Sequence, residues 1–177
     1  GLAPGCYGLI ITRLEPENNV HLACAAWTST RPGFDLAVVG WAAYKSAYVD
    51  RLRWTANGRV RFLGPIYDPT LLSELRCNSA VYIHGCEVGG TNPALVQAMA
   101  SGCKVVALDS PFNREVLGNG GWYFTKSTAD ISRCVEKALA SRPSPGKRQA
   151  ARHRALRRYT WSGVTDRYER AFLRALN

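Results

Sequence analysis

The sequence predicts an α/β domain built on a parallel sheet of about six strands, with helices on both faces and extra helices at the C-terminus. Short apolar runs alternate with stretches of helical periodicity, which is the rhythm of a parallel sheet. From about residue 127 the pattern is helical only. The 177 residues, 46% of them hydrophobic and 20% charged, suit a single folded domain spanning residues 1–177.

The elements follow one another in a regular order. Strands are predicted at 8–11, 35–39, 60–63, 80–83, 104–108 and 121–124. Helices are predicted at 20–29, 43–56, 69–75, 93–101, 111–117, 128–140, 147–159 and 162–176, with a break at 142–146. Three helices begin with proline, which suits the first helical turn because its missing N–H would have no partner there.

The spacing of the cysteines, the lack of long apolar runs and the first residues of the chain indicate in which cell compartment the protein works. Six cysteines are dispersed without a C-x-x-C pair, so we expect the reducing cytoplasm, with a disulfide framework or a zinc site as the alternative. No apolar run approaches the roughly 18 residues of a spanning helix, and residues 1–8 do not resemble a signal peptide. Because the sequence opens on Gly1, without an initiator Met, we expect a piece of a longer polypeptide.

Three loops that follow predicted strands carry most of the candidate chemistry. They are residues 12–19, 64–68 and 84–93. In an open parallel sheet the ligand lies beyond the carboxyl ends of the strands, so the topology should gather these loops on one edge.

The third loop has the composition of an anion-binding turn. Gly89 and Gly90 leave the backbone unobstructed, Thr91 and Asn92 are polar capping residues, and Pro93 opens a helix whose free N–H groups carry partial positive charge. Such a loop can hold a diphosphate. The alternative is a strand-to-helix turn that needs glycine only for its geometry.

Two further side chains lie on the same predicted edge. Arg13, at the end of the first strand, has a guanidinium able to reach phosphate oxygens, although an ion pair with Glu15 or Glu17 is the alternative. His84, just past the fourth strand, is able to donate to a sugar hydroxyl, although a lone histidine is more often structural.

Several segments of the sequence, taken in their order and spacing, resemble the C-terminal domain of glycosyltransferase family 4. The matching segments are 13–19, 38–40, 60–64, 89–99, 102–107 and 159–161, so the resemblance covers nearly the whole chain. Segments 65–69, 84–85, 88–93 and 111–114 look like the subgroup of bacterial rhamnosyltransferases that use dTDP-rhamnose. The resemblance implies one Rossmann-like half of a GT-B fold, with the N-terminal acceptor domain absent.

The resemblance also implies roles for individual residues. Arg13 falls where the family's arginine contacts the donor diphosphate, and Gln97 where a glutamate holds the ribose. The family's first glutamate falls at Gly89, with Glu87 near enough to act in its place. The remaining donor contacts are assigned to Tyr67, His84, Gly89, Gly90, Thr91 and Asn92.

The sequence departs from the family at two of these positions. Asn18 stands where a second phosphate-binding lysine is usual, so one positive charge is missing. Gln97 is a neutral acceptor, which makes a weaker contact to a hydroxyl than a carboxylate does. Because deoxyribose has no 2′-hydroxyl, Gln97 fits a dTDP-sugar at least as well as a UDP-sugar. A weakened donor site is the opposite interpretation.

The implied reaction is retaining glycosyl transfer from a nucleoside-diphosphate sugar to a polysaccharide or lipid-linked acceptor. Charge on the departing diphosphate would be stabilised by Arg13 and the 89–92 loop without a metal or a further cofactor, in agreement with the absence of an Asp-x-Asp motif. An acceptor-activating base would come from the N-terminal domain, so this piece alone should be inactive. A non-catalytic nucleotide-sugar-binding module is the alternative.

The net charge of +10 is concentrated near the C-terminus, since residues 137–165 contain no acidic side chain. The basic residues there are Arg142, Lys147, Arg148, Arg152, Arg154, Arg157 and Arg158. A solvated helix face is one interpretation, and peripheral contact with anionic lipid at the inner face of the membrane is the other. A nucleic-acid-binding domain is the rival class, but no stacking aromatics are interleaved with these charges, so we expect no nucleic-acid partner.

Overall fold

A computed structural model describes residues 1–30, 33–42, 47–55, 58–141 and 146–176. It contains one six-stranded sheet, made of β1 (Tyr7–Ile11), β2 (Asp35–Val39), β3 (Val60–Gly64), β4 (Val81–His84), β5 (Val105–Leu108) and β6 (Gly121–Phe124). Every pairing is parallel, and the strand order is β3-β2-β1-β4-β5-β6. This is the doubly wound, Rossmann-like order, which confirms the predicted fold class.

The helices also follow the predicted order. They are α1 (Val20–Thr30), α2 (Ala47–Thr55), α3 (Pro69–Cys77), α4 (Pro93–Ala100), α5 (Pro111–Leu117), α6 (Thr128–Ala140), α7 (Gly146–Arg158) and α8 (Trp161–Ala175). Of the helix predicted at 43–56, residues 43–46 and 56 lie outside the described residues. So do residues 142–145 of the predicted break. A 3-10 turn at Pro16–Asn18 was not predicted.

Local sequence explains the sharp starts of α3, α4 and α5. Each has proline in its first turn, preceded by a capping side chain: Asp68, Asn92 and Ser110 respectively. Each cap accepts hydrogen bonds from the backbone N–H groups that the first helical turn leaves free. Because these helices follow β3, β4 and β5, their N-termini lie at the carboxyl edge of the sheet.

Buried side chains form a core on each face of the sheet. Trp27 of α1 and Ile131 of α6 belong to one core, and Leu95 of α4 and Ala151 of α7 belong to the other. Strand residues alternate between the faces, so Ile10 points to the first core and Leu9 to the second. The sheet is therefore covered on both sides.

All six cysteines are free thiols, so the disulfide alternative does not hold. Cys24, Cys103 and Cys134 are buried, whereas Cys6 and Cys77 are exposed. Burial raises the pKa of the Cys24 thiol to about 12 and that of Cys103 to about 11. Among the described residues, no group of three His, Cys, Asp or Glu side chains lies in an arrangement able to hold a metal ion.

The last helix differs from the others in its exposure. None of the residues of α8 is buried, and Trp161, Tyr168 and Phe172 are large exposed apolar side chains on it. Within the described part of the chain, no helix is long and apolar enough to cross a membrane.

Candidate functional site

The two loops with the richest chemistry meet where the strand order reverses. β1 and β4 are neighbours in the sheet, although the first leads into α1 and the second into α4. In a doubly wound sheet the crevice outside such a pair is the usual place for a ligand. Residues 12–19 and 85–92 flank that crevice, as predicted from the sequence.

The first loop presents a cation, Arg13, to solvent. Arg13 is exposed, and no ion pair among the described residues includes it, so the predicted alternative of a pair with Glu15 or Glu17 is not found there. The Arg13 carbonyl oxygen accepts a hydrogen bond from Asn18 Nδ2 at 2.9 Å. Asn18 is buried, so it holds the loop together and does not present a polar group to the crevice.

Asn19 joins the two loops. It adopts a left-handed conformation, with φ of 51°, which asparagine tolerates better than most residues. Its Nδ2 donates to the Gly85 carbonyl and to Glu87 Oε1, both at 2.9 Å. The loops approach so closely that a Cβ on residue 85 would lie 2.4 Å from the Asn18 carbonyl oxygen. Only glycine allows this approach.

Glu87 is held as a carboxylate. Its Oε1 lies 2.6 Å from Lys126 Nζ and accepts the hydrogen bond from Asn19. These contacts, that of Lys126 above all, hold the pKa of Glu87 below its ordinary value. The Glu87 backbone N–H also donates to the Glu17 carbonyl at 3.1 Å. The carboxylate is thus ionised and fixed beside the crevice, where it can accept a hydrogen bond.

The glycine-rich part of the second loop is open to solvent. Gly89 has a φ of 127°, a conformation that favours glycine, and Gly89, Gly90 and Thr91 are all exposed. Asn92 Oδ1 accepts from the Ala94 N–H at 3.0 Å and so caps α4. Buried Asn113 of α5 anchors the loop, since its Nδ2 donates to the Cys86 carbonyl at 2.9 Å.

His84 is the last residue of β4, one position further along the strand than predicted. It is 3% exposed, and its Nε2 is buried without a hydrogen-bond partner among the described residues. Burial lowers the pKa of His84 to about 4, so the ring is neutral at pH 7. A buried polar atom without a partner is costly, which makes Nε2 a candidate for a ligand contact.

Gln97 and Tyr67 lie away from these groups. Gln97, one turn into α4, is exposed; its Oε1 accepts a 2.6 Å hydrogen bond from a guanidinium nitrogen of Arg76. Gln97 and Thr91 line a cavity of about 770 Å³ between α4 and α8. Tyr67 is 78% exposed in the loop after β3. Arg13, His84 and Glu87 do not line that cavity.

Sequence reasoning missed four residues that shape this region. Asn19, Asn113 and Lys126 hold the second loop and Glu87, and Arg76 holds Gln97. The conformation of Asn19 could have been predicted from the sequence, because an asparagine that ends a turn before a helix often adopts a left-handed conformation. The other three act across long sequence separations, which a local pattern does not reveal.

Comparison with known families gives one match. The model of a family described as "Glycosyl transferases group 1" matches residues 6–141, which is most of the chain. No curated protein matches the sequence.

Solved structures share the fold. HepE of Anabaena in complex with UDP and glucose has a TM-score of 0.83 at 20% identity, over 94% of this chain and 47% of that one. A glycosyltransferase from Rickettsia africae has a TM-score of 0.85 at 13% identity, over 97% of this chain and 48% of that one. The C-terminal domain of the glycosyl transferase group 1 family protein LpcC of Francisella tularensis has a TM-score of 0.76 at 19% identity, over 90% and 89%. This chain therefore spans about half the length of the first two.

Proposed function

Because this chain belongs to the glycosyl transferases group 1 family, we propose that it is the nucleotide-sugar-binding, C-terminal half of a retaining glycosyltransferase of the GT-B fold. The observation that carries the proposal is the crevice between β1 and β4. There the exposed Arg13, which forms no ion pair with another described residue, and the exposed backbone of residues 89–91 lie at the reversal of strand order. A guanidinium and exposed backbone N–H groups are the donors that a diphosphate requires.

The chemistry of this half is electrostatic. As the bond to the anomeric carbon stretches, negative charge grows on the leaving diphosphate. Arg13 and the N-terminus of α4 stabilise that charge with dipoles and charges that are already in place. Asn19 and Gly85 keep the two loops in contact, so the groups need little reorganisation when the donor binds.

Two further groups suit the sugar. Glu87 is ionised and fixed by Lys126 and Asn19, so it accepts hydrogen bonds from sugar hydroxyls. The neutral ring of His84 has an unsatisfied Nε2 at the end of β4, and a sugar hydroxyl would provide the missing partner.

The donor we propose is a dTDP- or UDP-sugar, with dTDP-rhamnose as the specific candidate. The sequence resemblance to rhamnosyltransferases in residues 65–69 and 84–93 supports rhamnose. The complexes of HepE with UDP and with UDP-glucose support a nucleoside-diphosphate sugar. Tyr67, 78% exposed beyond β3, is available to contact the nucleotide.

A partner domain is a further part of the proposal, and the coverage of the similar structures supports it. This chain spans about half of HepE and of the Rickettsia protein. We therefore assign binding of the glycan or lipid-linked acceptor, and the base that activates it, to an N-terminal domain. On this proposal the isolated chain binds donor nucleotide but transfers no sugar. Transfer by the complete protein separates this proposal from a non-catalytic binding module.

Contact with the inner face of the cell membrane is part of the proposal, carried by a smaller set of basic residues. Arg148 and Arg154 donate to the Gly102 and Val116 carbonyls, so both serve as caps of neighbouring helices. Arg152 and Arg157 are exposed and pair with no other described residue. These two arginines of α7 are the candidate lipid contacts of a cytoplasmic enzyme.

The nucleotide site is tested by titrating dTDP, UDP and GDP into the wild-type chain and two variants. Arg13→Ala should weaken nucleotide binding about tenfold to a hundredfold, since a charge-assisted contact contributes roughly 1.5–3 kcal/mol. Arg157→Ala is the matched control, an exposed arginine on α7 that should bind like wild type. Equal losses in both variants would place the site elsewhere.

A further inference from the structure

A second cavity lies at the opposite edge of the sheet from the crevice between β1 and β4. It has a volume of about 490 Å³, and its lining includes residues that lie just before strands: Gly5, Phe34, Ala80 and Lys104. The amino ends of parallel strands share one edge, so the length of the strands, roughly 10–15 Å, separates this cavity from the crevice. A ligand in the cavity would therefore not meet a ligand in the crevice.

Two cations line this cavity, and no described Asp or Glu does. They are Lys104, just before β5, and Arg148 of α7, and neither takes part in an ion pair among the described residues. Burial and the nearby positive charge of Arg148 lower the pKa of Lys104. Like charges placed side by side repel each other, so an anion between them would be stabilised by both.

Both cations also hold the ends of helices, which accounts for part of their charge. Lys104 Nζ donates to the Ser141 carbonyl at 2.9 Å and to the Leu139 carbonyl at 3.4 Å, at the C-terminus of α6. Arg148 Nε donates to the Gly102 carbonyl at 2.6 Å, just beyond α4. A helix C-terminus carries about half a negative charge, so the two ends balance about one of the two positive charges. The terminal guanidinium nitrogens of Arg148 donate to no described residue.

We propose that this cavity is a second anion site, which binds the phosphate group of a small molecule between Lys104 and Arg148. Lysine ammonium and arginine guanidinium groups are the usual phosphate-binding side chains of proteins, and a phosphate supplies the negative charge that the helix ends leave missing. A volume of about 490 Å³ lies within the range of small-molecule sites, about 300–1,000 Å³. The inference goes beyond the proposed function and does not depend on it, since no residue of the crevice takes part.

Inorganic phosphate is the probe, and thermal melts of the wild-type chain measure its effect. Each melt is compared with a chloride buffer of equal ionic strength, because salt screens all surface charges. Phosphate at about ten times its dissociation constant should raise the folding equilibrium constant about elevenfold, and Tm by about 3–6 °C. No shift beyond the chloride reference at about 20 mM phosphate, a concentration that reveals millimolar binding, would overturn the inference.

Variants that remove one charge each locate the effect. Lys104→Gln and Arg148→Gln keep an N–H donor for the helix carbonyls but lose the charge, so each should lose most of the phosphate shift. Arg157→Gln, the matched control on α7, lies outside the cavity lining and should keep the wild-type shift. Arg13→Ala should also keep it, because Arg13 lies at the other edge of the sheet. A shift that is lost in Arg13→Ala and kept in both glutamine variants would place the phosphate in the crevice and contradict the proposal.

Amide NMR spectra of the wild-type chain test the place of binding without any substitution. Phosphate should move the N–H resonances of Ser79, Ala80 and Lys104, which line the cavity, more than those of Gly89 and Gly90. The reverse pattern would assign the phosphate to the crevice, and the inference would then be wrong.

Sedimentation with phosphatidic acid vesicles at low salt identifies the source of the phosphate group. A soluble ligand is indicated if the wild-type chain stays in the supernatant, or if Lys104→Gln and Arg148→Gln sediment as the wild-type chain does. A phospholipid headgroup is indicated if both variants sediment less than the wild-type chain. Either result, together with the Tm shift, supports a phosphate site at this edge of the sheet.

Discussion

The contact between the two loops at the crevice predicts a specific effect of adding one methyl group. In Gly85→Ala the new Cβ would lie 2.4 Å from the Asn18 carbonyl oxygen, whereas ordinary contact begins near 3.4 Å. The loops must therefore separate by about 1 Å, which also stretches the hydrogen bonds from Asn19 to residues 85 and 87.

The magnitude follows from these contacts. Overpacking costs about 1–3 kcal/mol and each of the two weakened hydrogen bonds about 1 kcal/mol, so Gly85→Ala should lose about 3–5 kcal/mol of stability and about 6–20 °C in Tm. Nucleotide affinity should fall at least about tenfold, because Arg13 and the 89–92 backbone no longer share one geometry.

Two glycine variants separate stability from binding. In Gly90→Ala the Cβ meets nothing within 4 Å, so Tm should stay unchanged, while nucleotide affinity falls because the diphosphate must approach that backbone. Gly58→Ala, also in open space but before β3, should change neither. Thermal melts and nucleotide titrations measure both quantities. A Gly85→Ala chain with wild-type Tm would refute the close approach of the loops.

Three further predictions concern other parts of the chain. The part of the stability that depends on His84 should be constant above about pH 6.5 and fall by up to about 3 kcal/mol toward pH 4, because the unfolded chain protonates His84 at its ordinary pKa while burial lowers the folded pKa to about 4; His84→Leu should remove this part of the fall in pH-dependent melts, and His153→Gln should not. Asn18→Lys, which restores the usual family lysine, should lower Tm and leave nucleotide affinity no better, because residue 18 is buried; a gain in affinity would contradict this. Wild-type chain should sediment with anionic vesicles at low salt, and reversing Arg152 and Arg157 to Glu should release it without changing nucleotide binding; wild-type chain that stays in the supernatant at low salt would contradict membrane contact.

The sequence predicted the architecture well because its signals were local. Proline after a capping residue marked the start of α4 and α5, and short apolar runs marked the strands. The errors in the strands were small shifts at their ends. His84 proved to be the final residue of β4, and Lys104 precedes β5. A strand end depends on its neighbour's register, which a single sequence does not contain.

The site was harder to predict, because adjacent residues of one type have different roles. Asn18 is buried and ties its own loop, whereas Asn19 reaches across to the next loop. The 3-10 turn that ends at Asn18 decides which of the two side chains points toward the next loop. The roles of Arg148 and Arg154 were also hard to predict. The run of basic residues on α7 predicted side chains that extend into solvent, whereas both guanidinium groups donate to backbone carbonyls.

The free thiols offer a way to follow how this fold opens. Cys24 and Cys134 lie in the core on one face of the sheet, and Cys103 lies in the core on the other. Buried thiols with raised pKa values resist alkylation, whereas exposed Cys6 and Cys77 remain reactive in the folded chain. Mass spectrometry of pulse-alkylated protein would therefore show separately when each of the two cores becomes accessible to solvent. No label has to be introduced into the sequence.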